Sequence, residues 1–81
     1  MPHVNIKHFP VSLSEQQEAA LVAEVTAAIT RAMSCDEGVI SIALEPVPQE
    51  SWDEHVYVPE IVNRAHLLRK QPSYGVRRPT S

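Results

Sequence analysis

The stretch SEQQEAALVAEVTAAITRAM, residues 14–33, decides the fold. Ser14 stands three residues before Gln17, the spacing of a capping box: the serine accepts from the Gln17 amide and the glutamine reaches back. Glu15 and Glu18 put negative charge in the first turn, where the helix dipole favours it. Leu21, Val25, Ala28, Ile29 and Ala32 then recur at helical spacing and form one apolar face. No Gly or Pro interrupts the run. The spacing predicts a helix over about 14–33, and Ser34-Cys35-Asp36-Glu37-Gly38 is the turn out of it.

The flanks alternate differently. From Val4 to Phe9 the period is two, with Val4, Ile6 and His8 on one face and Asn5, Lys7 and Phe9 on the other. Pro10 ends this strand because it cannot donate to a sheet ladder. Beyond the helix, Val39-Ile40-Ser41-Ile42-Ala43-Leu44 is apolar at nearly every position, as expected of a strand covered on both faces. Strand, long helix and strand make a β-α-β unit with parallel strands, in the α/β (α+β) class. Pro46 and Pro48 break the chain, and Glu50-Ser51-Trp52 reads as a loop or short turn. Pro59 is placed to open a second, shorter helix over Glu60–Arg69, with Ile61, Ala65 and Leu68 on its apolar face. Residues 1–75 read as a single domain and 76–81 as a flexible tail.

Two strands and two helices cannot enclose a core in an 81-residue chain. Short chains are helped by disulfides, metals or partner subunits. Cys35 is the only cysteine, so no internal disulfide forms, and no Cys/His spacing suggests a metal site. A lone cysteine points to a reducing compartment. Assembly with further copies is the expected source of buried area, since the sheet edges need pairing. No apolar run approaches the roughly 20 residues of a membrane span, and the N-terminus does not read as a signal peptide. The expected setting is cytoplasmic, without a membrane partner.

The net charge of −3 conceals a division. All ten acidic residues lie at or before Glu60, where Lys7 and Arg31 are the only Lys or Arg. After Glu60 come Arg64, Arg69, Lys70, Arg77 and Arg78 with no acid. No nucleic-acid-binding pattern accompanies them, so a solvated helix end or pairing with an acidic neighbouring subunit is expected rather than a nucleic acid partner.

No glycine-rich phosphate loop, zinc-protease motif or nucleophile elbow occurs. Asp53 and Glu54 are adjacent and point apart. His3, His8, His55 and His66 lack ligand spacing. Pro2 offers another chemistry. Initiator methionine is commonly removed before a small residue, and its loss would leave a prolyl secondary amine held in one orientation by its ring. A free α-amino group titrates at about 7.7–8.0, and desolvation or a nearby cation lowers that further. Such a base suits general acid–base catalysis near neutral pH. Read from the residues alone, Pro2 is either that base or merely the residue after the start.

The segments PHVNIKHFP (2–10), LSEQQEAAL (13–21), SIALE (41–45), ESW (50–52) and KQPSYG (70–75) together resemble the 4-oxalocrotonate tautomerase superfamily, and within it the PptA-type members. The likeness covers roughly residues 2–75. It implies a tautomerase/MIF-like β-α-β subunit whose sheet is completed by oligomerisation, as a homodimer with a hexamer as the runner-up. It also implies a keto–enol tautomerase for small enol, 2-hydroxydienoate or enolpyruvate-type acids, with Pro2 as general acid/base and neither metal nor organic cofactor. The superfamily's prototype carries two carboxylate-binding arginines where this chain has Ser12 and Ser41. Neither serine offers arginine's bidentate charged fork. An aromatic residue of the prototype's pocket wall corresponds to Trp52, which otherwise plugs a gap between sheet and helix. Either an anionic substrate is held by a cation such as Lys7, Arg31, Arg69 or Arg78, or Ser12, Ser41 and backbone amides bind a less charged ketone or aldehyde. The alternatives are a hydratase or dehalogenase of unsaturated acids using the same proline, and a non-catalytic oligomeric binding module.

Overall fold

In the computed structural model the described residues are 1–75. The proposed tail, 76–81, lies outside them. The chain divides into a first unit, Met1–Pro46, and a second beginning at Val47.

The first unit is the β-α-β element. Strand β1 spans His3–His8 and helix α1 spans Glu15–Met33. Strand β2 spans Ser41–Pro46 and pairs with β1 in parallel, His3 opposite Ser41 and His8 opposite Pro46. The capping box forms in full. The Gln17 amide donates to Ser14 Oγ at 3.0 Å, and the Ser14 amide donates to Gln17 Oε1 at 2.9 Å. A cap of this kind is worth about 1 kcal/mol to a helix. At the other end Ser34 turns the chain in the left-handed region, with φ 52. Asp36 then accepts from the Gly38 amide at 2.9 Å, and one tight turn, Glu37–Val39, leads into β2.

Strand β2 therefore starts at Ser41, two residues later than its apolar run suggests, and only one of its faces is apolar. Ile42 and Leu44 share a groove with side chains of α1, while Ser41 and Glu45 are exposed on the opposite face. Leu21, Val25 and Ile29 of α1 are half-buried, whereas Ala28 and Ala32 of the expected apolar face are exposed. No residue of α1 is fully buried.

The second unit departs further from expectation. A short turn at Gln49–Ser51 runs into a wide π-helix, Asp53–Val62, so that Pro59 lies inside the helix rather than opening one. The Asn63 amide donates to the Val58 carbonyl at 2.9 Å, five residues back, which is the bond that defines the wider turn. An α-helical turn would drive the proline ring into the carbonyl four residues earlier. The wider ladder relieves that approach, so the helix continues past Pro59 and ends at Val62. A single tight turn, Ala65–Leu67, is all that forms in the rest of the expected second helix. Val47, Val56 and Tyr57 are the buried hydrophobic residues among those described, and all belong to this unit.

Candidate active site

Pro2 sits immediately before β1, and its place is set by the parallel register. The Ser41 amide donates to the Pro2 carbonyl at 3.2 Å, adding one hydrogen bond ahead of the first paired residue. The proline ring has no N–H to offer a ladder. Among the described residues Pro2 is hydrogen-bonded through its carbonyl, and outside its ring its nitrogen is bonded to Met1, which is exposed.

Ser41 makes a second link. Its hydroxyl hydrogen-bonds His3 Nδ1 at 2.6 Å across the two strands. On the same face Asn5 Nδ2 donates to Glu45 Oε1 at 3.0 Å. The sheet face away from α1 thus carries cross-strand polar pairs, and the pair nearest the N-terminus adjoins Pro2. The structure brings Pro2 and Ser41 together. Ser12 lies in the exposed connection between β1 and α1, and its side chain makes no hydrogen bond among the described residues.

Trp52 belongs to the second unit, at the start of the π-helix. Its indole Nε1 donates to the Tyr74 hydroxyl at 3.1 Å. The Tyr74 ring in turn lies 6.1 Å from the Tyr57 ring, tilted by 42°. Of the candidate cations, Lys7 is half-buried on β1 and Arg31 lies exposed in the last turn of α1. Arg69 donates to the carbonyls of His66 and Leu68, each at 3.3 Å. Arg78 lies outside the described residues. Arg64 approaches Glu60 at 4.0 Å one helical turn away, an exposed pair of small energetic weight.

Sequence reasoning does not single out His3 or Tyr74 as site residues. The link from His3 to Ser41 depends on strand register, and Tyr74 lies 22 residues from Trp52, so no periodicity connects either pair. Among the described residues no three His, Cys, Asp or Glu side chains gather as a metal site, and no helix is long and apolar enough to cross a membrane.

A strand-anchored proline ahead of a β-α-β unit is the setting in which the family comparison falls. The model of the tautomerase enzyme family matches residues 2–58, and the chain belongs to that family, a class of isomerases. Among individual proteins it is similar to Tautomerase PptA of Escherichia coli O139:H28 (strain E24377A / ETEC), at 42% identity over 76 residues, covering 94% of this chain and 100% of the relative. Tautomerase PptA of Escherichia coli O157:H7 matches to the same extent. That of Escherichia coli strain K12 / DH10B is also 42% identical, over 97% of its length.

Proposed function

We propose that the protein is a keto–enol tautomerase for small enol acids of the enolpyruvate or 2-hydroxydienoate kind, with the amine of Pro2 as its general acid/base once Met1 is removed. The observation that carries this reading is the way Pro2 is held. Its carbonyl is bound by the Ser41 amide while its nitrogen takes no part in the ladder. Loss of Met1 converts that nitrogen from a tertiary amide, which has no basic lone pair, into a secondary amine of fixed direction. The family match begins at this residue. Neutral Pro2 takes the enol hydroxyl proton and a proton returns from the amine to carbon. The O–H bond breaks and a C–H bond forms, while C=C becomes C–C and C–O becomes C=O, with no net change in atoms or charge.

Ser12, Ser41 and Trp52 are the proposed substrate-binding residues. Ser12 supplies an exposed hydroxyl and Trp52 an aromatic surface, as the resemblance implies. Ser41 supplies a hydroxyl that hydrogen-bonds His3 Nδ1, and its amide holds the Pro2 carbonyl. The test is a 15N NMR titration of a chain shown by intact mass to lack Met1. The expected result is an amine substantially neutral at neutral pH. A fully protonated amine there would overturn its use as a base.

The functional unit is proposed to be a homodimer of one domain over 1–75, since the family match runs across the boundary between the two units. The first unit has a two-stranded sheet and a helix with no buried residue. Ala19, Val22 and Ala23 line its open groove with Ile42 and Leu44. The polar pairs on the other face favour a sheet covered on one side only, and hence a dimer over a larger stack. Sedimentation should give the mass of two 9.0 kDa chains, and Ala23→Glu, which sets a charge in the groove, should shift it towards one. A single-chain mass for the unmodified protein at every concentration would remove the dimer. The lone Cys35 supports a reducing, cytoplasmic setting.

A further inference from the structure

We propose that Tyr74 is the positioning residue for Trp52, and that residues 72–75 act as a strap fixing the aromatic surface offered to substrate. The proposal rests on the reading that Trp52 lines the pocket. An indole has one polar atom, a donor, and the bond that this donor makes restricts rotation about the two side-chain bonds. The Tyr74 hydroxyl accepts from that donor at 3.1 Å and so selects one ring direction. Trp52 is half-buried and Tyr74 exposed, so the bond joins the polar tips of two rings that each keep an apolar body. Here the partner comes from beyond the last regular element.

Two features hold the strap. The Tyr74 ring packs against Tyr57, which is 4% exposed and thus part of the unit's small core. Gly75 has φ +119, a backbone region that side chains rarely adopt, and a Cβ built on it would collide with the Tyr57 hydroxyl and ring. Glycine therefore lets the backbone close directly onto Tyr57. Tyr74 touches the core on one side and Trp52 on the other, and transfers the order of the first to the second.

Trp52 is the only tryptophan, so intrinsic fluorescence reads this contact without labelling. Tyr74→Phe keeps the ring and removes the acceptor. In the full chain freed of Met1, with phenylenolpyruvate as the probe, Tyr74→Phe should increase acrylamide quenching of Trp52. It should raise KM about 2- to 10-fold, the weight of one hydrogen bond, with kcat within about twofold. In a Trp52→Phe background, which has no indole donor, Tyr74→Phe should add nothing to KM. An unchanged quenching and KM on Tyr74→Phe, when Trp52→Phe does alter KM, overturns the proposal. So does an equal rise in KM in both backgrounds, because Tyr74 would then act by another route. If Trp52→Phe and Trp52→Ala both leave the kinetics unchanged while Tyr74→Phe still alters quenching, the pocket reading of Trp52 fails and the proposal falls through its premise. Far-UV circular dichroism of each variant separates these results from simple unfolding.

Discussion

Replacing Pro2 by Ala in a chain that has lost Met1 should lower kcat/KM for phenylenolpyruvate by about 100- to 10,000-fold, the range contributed by a positioned acid–base group. The variant would still present an amine, but a primary one on an unconstrained carbon, and the ring that fixes the lone pair would be gone. The carbonyl at this position could still accept from Ser41, so β1 should pair as before and the loss should fall on chemistry rather than on folding. A preparation that retains Met1 should be equally slow, since its Pro2 nitrogen is an amide. The two arms are read together, by intact mass and by initial rates. A Pro2→Ala protein as fast as the unmodified one, with Met1 absent from both, would refute the assignment of the base.

The second large effect is on stability. Tyr57→Ala should cost about 3–5 kcal/mol, the range for emptying a buried aromatic site. The magnitude matters because a domain's whole stability is only about 5–15 kcal/mol. Val47, Val56 and Tyr57 are the buried hydrophobic residues among those described, and Tyr57 is the largest of them. Urea unfolding at a fixed protein concentration is the appropriate measurement, because subunit association contributes to the apparent value. A loss below about 1 kcal/mol would mean that Tyr57 lies in a site that collapses or is not packed. Tyr57→Phe, which keeps the ring, should lose far less.

The elements legible in the sequence are those set by local chemistry. Ser14 and Gln17 announce the start of α1, and the alternation from Val4 announces β1, because caps and faces are fixed by neighbours three or two residues away. The apolar run starts β2 too early because Val39 and Ile40 are as apolar as Ile42 and Leu44. Nothing in hydrophobicity separates a strand from the tight turn feeding it. The second helix is misplaced by a rule for proline that assumes an α-helical ladder, whereas Pro59 sits in a wider one. In the candidate site, Pro2 can be named from its position and from the resemblance. The partners that hold it cannot. The Ser41 amide meets the Pro2 carbonyl, and the Ser41 hydroxyl meets His3, only because the register sets His3 opposite Ser41. The strap at Tyr74 is invisible for the same reason: it is a contact between positions that no local pattern couples.

The bond between the Ser41 amide and the Pro2 carbonyl also orders events in time. On the ribosome the N-terminal residues emerge first, yet their strand has no partner until β2 has been made. Under the proposed removal of Met1, an aminopeptidase would meet an unpaired strand throughout the synthesis of α1, and parallel pairing would close only once Ser41 is in place. Topology would in this way set processing ahead of docking.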